Sequence, residues 1–261
     1  VRANTRPEGG NTAERGSTAS APAADNSARA SRGRSAGRVP SVAFDGRGRG
    51  AYSARAMSTP VETPSSGAVE FFERQFHAQV VGADYARNPF EHAVLPFLHG
   101  DMLELGCGLG NLALAAAARG CRVAALDASP VAIADLARRA RAQGLELEAH
   151  TAELRHFVPS RAYDTVVAIG LLMFFSCGDA CALLARLREA VKPGGVIVLN
   201  VLVEGTTWLE PFGNRPYCLF ARDALSEEFS DWRSLLSRHE DFPAPNAALK
   251  RFHTLVAQRP G

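Results

Sequence analysis

Residues 103–111 read LELGCGLGN, and this stretch decides the fold. A short apolar run enters it, three glycines alternate through it, and NLALAAAARG (111–120) follows as a helix candidate closed by Gly120. That is the pattern of a strand, a backbone turn pressed against a ligand, and a helix. The same alternation continues outward. CRVAALD (121–127) reads as a second strand. In SPVAIADLARRARAQG, Ser129 stands as N-cap, Pro130 at the first helical position and Gly144 as the stop. Ile133, Leu136, Ala137 and Ala140 fall on one face of that helix, with the arginines opposite. LELEAHTAE (145–153), YDTVVAIG (163–170) and VIVLNVLV (196–203) are further strands. ACALLARLREAVK (180–192) reads as a helix and KPGG (192–195) as a tight turn. TTWLEPFGNRPYCLF (206–220) is irregular and RDALSEEFSDWRSLL helical. Two extended runs around RSLLSRHEDF and LKRFHTLVAQR flank PAPN as a closing hairpin. Strands alternating with helices predict one α/β domain, doubly wound about a mostly parallel sheet.

Composition sets the domain limits. Residues 1–56 hold 10 arginines, no lysine and 4 acids, a net of +6, which leaves −4 for the rest of a chain whose total is +2. That segment is built from Ala, Gly, Ser, Arg and Thr and buries too little apolar surface to offset its ordering entropy. Residues 1–66 are therefore expected to be a disordered tail, with the domain at 67–261. The chain opens on Val1, its first methionine is Met57, and MSTPVETPSSG looks like an ordinary polar amino terminus. Coding sequence read ahead of the true start is favoured over an organellar transit peptide or a basic arm for nucleic acid. No run approaches the roughly 18 apolar residues of a membrane span. The five cysteines (Cys107, Cys121, Cys177, Cys181, Cys218) form no CxxC, which points to neither a disulfide framework nor a zinc site. The expectation is a cytoplasmic protein, monomer or homodimer, with no metal and no membrane or nucleic-acid partner.

Which ligand the glycine turn holds depends on its neighbours. A dinucleotide fingerprint wants glycines at the first, third and sixth positions. Here they are Gly106, Gly108 and Gly110, and the sixth position is Asn111. Glu104 would repel an incoming pyrophosphate and attract a cationic amino acid moiety. Asp127 ends the second strand, where a carboxylate accepts both hydrogen bonds of a ribose diol. Glu153 ends the third strand in TAEL.

With LELGCGLGN, ALDASP, TAEL, YDTVVAIGLLMFF and LREAVKPGGVIVLN in this order, the chain resembles the class I S-adenosylmethionine-dependent methyltransferases over residues 100–202. The resemblance implies a Rossmann-like, seven-stranded, mostly parallel sheet whose seventh strand is antiparallel, and S-adenosyl-L-methionine as cofactor. It implies that Glu104 and the 106–110 turn face the methionine part and that Asp127 takes the ribose hydroxyls. Glu153 and Leu154 would lie near the adenine, and Cys107, Asn111, Ala128 and Ile169 would complete the cofactor set. Within the superfamily, LLMFF, KPGG, SEEFSDW and LKRFHT resemble the tellurite-resistance group, in which His239 matches a histidine, while Glu240 stands where that group often has arginine.

The acceptor is then a small molecule. Exocyclic-amine methyltransferases carry an (N/D)PP(Y/F) turn after the fourth strand, whereas this chain has GLLMFF (170–175). That fits an acceptor with an available lone pair, such as a thiol, thiopurine, chalcogen oxyanion or heteroaromatic nitrogen, and a general base matters only where the acceptor carries a proton that must leave. Leu171, Met173 and Phe174 read either as a pocket wall or as core packing. Trp208, Phe212 and Tyr217 read as a lid or as a cover of the core. His239 is a candidate base or a structural histidine. Cys177 and Cys181 share a helix face, as packing residues or as a thiophilic site. Phe72 or Phe76 in FFERQF caps the cofactor, or the segment docks on the sheet. The rival functions are a cofactor sensor without catalysis, an RNA methyltransferase using the basic tail, and a nicotinamide-dependent oxidoreductase.

Overall fold

The computed structural model describes Ser41–Phe44, Gly50–Ala51 and residues 66–261. The chain divides into Val1–Arg38, which lies outside the described residues, and Val39–Gly261. The reading of residues 1–40 as a tail also falls outside them, and the first described helix opens at Ser66, beside the expected 66/67 boundary. Six residues of the segment read as disordered form strands. Ser41–Phe44 pairs in parallel with Leu219–Phe220 and antiparallel with Gly50–Ala51.

The main sheet has seven strands: β1 (Asp101–Leu105), β2 (Arg122–Asp127), β3 (Glu148–Thr151), β4 (Tyr163–Ile169), β5 (Val191–Leu202), β6 (Arg233–Pro243) and β7 (Leu249–Gln258). Their order across the sheet is β3-β2-β1-β4-β5-β7-β6. The first five run parallel, β7 is antiparallel to β5, and β6 closes the hairpin against β7. The doubly wound sheet with an antiparallel terminal hairpin is thus as expected. The winding reverses between β1 and β4, so the crevice beyond their carboxyl ends is the natural ligand position.

Helices α1 (Ser66–Gly82) and α2 (Pro89–Val94) precede the sheet, α3 (Asn111–Ala117) and α4 (Pro130–Ala142) follow β1 and β2, and α5 (Cys177–Glu189) and α6 (Ala224–Glu228) follow β4 and β5. Ser129 caps α4 by accepting from the Ala132 amide, as its position after the second strand predicts. Met102, Val123, Val167 and Val198 meet α3 and α4 on one face, whereas Leu103, Leu105, Val166 and Leu199 meet α5 on the other. All five residues of β1 are buried, Asp101 and Glu104 included, because the sheet is covered on both sides.

Three local expectations change. KPGG is not a separate turn before β5, because Tyr163 pairs with Val191 and Thr165 with Val196, so residues 192–195 loop out of the ladder. A Cβ on Gly195 would stand 2.8 Å from the Asp164 carbonyl, so only glycine allows that approach. The helix expected through SEEFSDWRSLL ends at Glu228, because Phe229 and Trp232 anchor in the core and Arg233 starts β6. Cys177 is joined to Cys218 by a disulfide spanning 41 residues, contrary to the expectation of no disulfide. Spacing along the chain does not reveal that pairing: the two cysteines meet only because the loop after β5 returns over the loop after β4, with the Cys218 amide bonded to the Met173 carbonyl (3.0 Å). Cys181 remains a free thiol one turn beyond Cys177, so the pair shares no metalloid site.

Candidate cofactor and acceptor site

The glycine turn leaves β1 at the switch point. Gly106, Gly108 and Gly110 hold φ of +71°, +53° and +67°, the left-handed region that glycine adopts without strain. The amides of Gly106 and Cys107 both donate to the Leu126 carbonyl (2.8 and 3.1 Å), which ties the turn to the end of β2. Asp127 is fixed from two sides: its Oδ2 accepts from the Gly108 amide and its Oδ1 from the Ser129 amide, each at 2.8 Å. Burial pushes its carboxyl up, opposed by those amides, and each oxygen keeps a lone pair for a diol.

Glu104 is the unusual group. It is 4% exposed, and its Oε2 is buried with no hydrogen-bond partner. Burial drives its pKa well above the ordinary carboxylate range, and Glu91 and Asp127 add to the rise. A buried carboxylate oxygen without a partner is costly unless a cation or donor arrives. Glu91, which the sequence reading missed, belongs to the same acidic wall. It is the N3 residue of a capping box on α2, exchanging hydrogen bonds with Asn88, and burial raises its pKa too. The stretch NPFE carried that signal. Arg87 lies near enough to Glu91 to lower its pKa, and its Nε is buried without a partner.

Helical periodicity puts Arg139 among the solvent-facing arginines of α4, but the structure turns it inward. Its Nε donates to Asp135 (2.7 Å), its Nη1 to Asn111 Oδ1 (3.0 Å) and its Nη2 to the Leu109 carbonyl, while its guanidinium stacks on Tyr85. Asn111 therefore serves to brace the turn. Cys107 packs beneath it with a buried thiol whose pKa burial raises. Leu171 sits on Gly106, where an added Cβ would lie 3.2 Å from its side chain. It therefore lies against the glycine turn, not in the acceptor wall. Glu153 is exposed, and its carboxylate accepts from the amides of Arg155 and His156 in its own loop (2.9 and 3.2 Å). Leu154 is core, Ile169 ends β4 half-buried, and Ala128 is half-buried between Asp127 and Ser129.

On the acceptor side, four rings form a chain from α1 to the loop after β5. Phe72 meets Phe174 edge-on (5.0 Å), Phe174 meets Phe212 (5.1 Å), and Phe212 stacks on Tyr217 (4.8 Å). Met173 and Phe212 are also packed with Leu202 and Leu219, so the wall is core and pocket lining at once. Trp208 lies over the Lys250 ammonium (4.0 Å). Helix α1 crosses the glycine turn, with Phe76 3.1 Å from where a Gly108 Cβ would be and Glu73 accepting from Ser129 Oγ. His239 is elsewhere. It lies on β6, the sheet edge, four strand spacings or roughly 19 Å from β1. Its ring stacks on His253 (4.1 Å), and its Nε2 donates to the Arg222 carbonyl (2.7 Å), a structural arrangement that explains its presence without catalysis.

Residues 102–195, from β1 to the KPGG loop, match the family of methyltransferase domains. The chain carries a methyltransferase domain over these residues. The methyltransferase domain shares its fold with TehB from Haemophilus influenzae (TM-score 0.57, 18% identity, 74% of this chain and 67% of that one). It likewise shares the fold of the N-methyltransferase NodS from Bradyrhizobium japonicum WM9 in complex with S-adenosylhomocysteine (TM-score 0.58, 16% identity, 75% of this chain and 100% of that one). Among curated relatives it is 28% identical over 167 residues to "Hemagglutinin 1" of Eikenella corrodens, and 33% identical over 105 residues to a malonyl-[acyl-carrier protein] O-methyltransferase of Serratia marcescens. Those alignments cover 61% and 40% of this chain, which spans 54% and 39% of the relatives' lengths. The cofactor of this family is S-adenosylmethionine, and the domain's residues fit it: the unpartnered Glu104 oxygen suits an ammonium group and the clamped Asp127 a ribose diol. Among the described residues no cluster could hold a metal ion, and no helix is long and apolar enough to cross a membrane.

Proposed function

We propose that the chain transfers a methyl group from S-adenosylmethionine to a small soft or heteroaromatic acceptor such as a thiol, thiopurine or chalcogen oxyanion. The observation that carries this reading is the ring wall of Phe72, Phe174, Phe212 and Tyr217, with the Met173 thioether behind it, beside the glycine turn. The bound cofactor supplies an activated sulfonium methyl, so the protein's task is alignment and exclusion of water. Glu104 and Glu91 hold the cationic amino acid end, Arg87 takes its carboxylate, and Asp127 takes the ribose. Arg139 keeps the turn in register through Asn111 and Leu109. The rings exclude water from the acceptor, and an acceptor that arrives already ionised, such as a thiolate or an oxyanion, takes the methyl group without a proton having to leave. A carboxylate oxygen shares that property, and the O-methyltransferase relative supports including one among the acceptors tested.

The test is release of S-adenosylhomocysteine by the whole chain with thiols, thiopurines, tellurite, selenite, heterocycles and short-chain carboxylates. Turnover with the sulfur or ring-nitrogen acceptors supports the reading. Turnover confined to carboxylates would replace it with O-methylation. Silence across the panel, with the cofactor bound, would favour a sensor.

A further inference from the structure

Four arginines among the described residues have a buried side-chain nitrogen without a hydrogen bond: Arg87, Arg155, Arg215 and Arg251. Three of them have a carboxylate at hand. Glu91 feels the charge of Arg87, Asp179 is 3.8 Å from Arg155, and Asp241 is 3.4 Å from Arg251. Arg215 differs, because no described carboxylate forms an ion pair with it. Its Nε donates to the Phe212 carbonyl and its Nη2 to the Pro211 carbonyl (3.2 Å each), which fixes the guanidinium on the short turn between Phe212 and Tyr217. Nη1 is buried and unpartnered. Arg215 is half-buried, and a cation held in place with one nitrogen buried and idle is costly unless an acceptor completes it. The two ring residues that flank it are the outer half of the acceptor wall.

We propose that Arg215 is a specificity-determining residue that binds an anionic group, a carboxylate or similar planar oxyanion, on an aromatic acceptor. This rests on the ring wall being the acceptor site. The acceptor's ring lies against Phe174, Phe212 and Tyr217, and its anionic group meets the Nη1 edge, whose fixed planar geometry suits a carboxylate better than a lysine ammonium would. The preference is for anionic over neutral members of one acceptor series.

The experiment uses the full chain saturated with S-adenosylhomocysteine and compares calorimetric binding of 2-mercaptobenzoate and thiophenol, which differ by one carboxylate. The expected result is 2-mercaptobenzoate bound at least tenfold tighter, with the ratio falling toward one in Arg215→Gln and to an intermediate value in Arg215→Lys. A wild-type ratio near one, no measurable binding of 2-mercaptobenzoate, or a ratio preserved in both variants overturns the proposal. If Arg215→Gln does not fold, the wild-type ratio and Arg215→Lys still decide it. S-adenosylhomocysteine released from S-adenosylmethionine with the same two thiols separates the two claims. Selective binding without turnover rejects the soft-acceptor reading alone, and equal turnover of both thiols rejects the role of Arg215 alone.

Discussion

Replacing Gly110 by alanine tests whether the glycine turn is set by packing as well as by backbone freedom. Gly110 has φ +67°, and a Cβ there would meet Leu136 Cδ1 at 2.5 Å and Cδ2 at 2.6 Å. Leu136 is fully buried on α4 among α3, α4 and the sheet, so it has nowhere to move. Gly144 is the matched control, because its φ is +64° and nothing lies within 4 Å of its Cβ position. Alanine in the left-handed region costs about 1–2 kcal/mol at either site. Overpacking adds about 1–3 kcal/mol at Gly110 alone. Gly110→Ala should therefore lose about 2–5 kcal/mol against about 1–2 kcal/mol for Gly144→Ala. Urea unfolding monitored by Trp fluorescence measures both. Gly110→Ala should also weaken S-adenosylhomocysteine binding, because the shift of α3 away from α4 pulls on Asn111 and Arg139. Equal destabilisation at the two glycines would refute the packing argument.

Other predictions follow from single groups. Closing a loop of 41 residues by the Cys177–Cys218 bond stabilises the fold by about 4 kcal/mol on chain-entropy grounds, so the Cys177→Ala/Cys218→Ala double variant should unfold at correspondingly lower urea. His253 is fully buried beside His239, and burial depresses its pKa to about 4. Because the unfolded chain then binds a proton that the folded chain refuses, stability should be greatest above pH 6.5. It should fall by up to roughly 3 kcal/mol as pH drops from about 6.5 to 4, and His253→Gln should flatten that part of the profile. Glu104 carries a strongly raised pKa that an arriving ammonium lowers, so cofactor binding near neutral pH should release a proton. Calorimetry in buffers of different ionisation enthalpy reads that release, and an enthalpy independent of buffer would contradict it.

The parallel half of the sheet was legible because each strand and helix announces itself locally, through an apolar run, Ser129 with Pro130, or a closing glycine. The positions of Glu104, Asp127 and the glycines were legible for the same reason. What escaped depends on contacts distant in sequence. Arg139 looks solvent-facing by helical periodicity, and only the return of α4 beside the glycine turn brings it to Asn111 and Leu109. Glu153 stands at a strand end like Asp127, yet its carboxylate caps its own loop, a choice set by one backbone turn. His239 drew attention as a lone histidine, but its partner across the hairpin, His253, holds it on the far edge of the sheet. The Ser41–Phe44 strand lies in a low-complexity segment, and its pairing with Leu219–Phe220 is a contact far away in sequence.

The central claim is an adenosyl-sulfonium site built on Glu104, the glycine turn and Asp127. Calorimetric titration of the full chain with S-adenosylhomocysteine and, separately, with NADH tests it most directly. The account predicts stoichiometric binding of S-adenosylhomocysteine and none of NADH. Asp127→Ala, which loses charge-assisted hydrogen bonds of about 1.5–3 kcal/mol, should weaken that binding roughly 10- to 100-fold. Binding of NADH without S-adenosylhomocysteine, or an Asp127→Ala affinity equal to that of the parent chain, would contradict it.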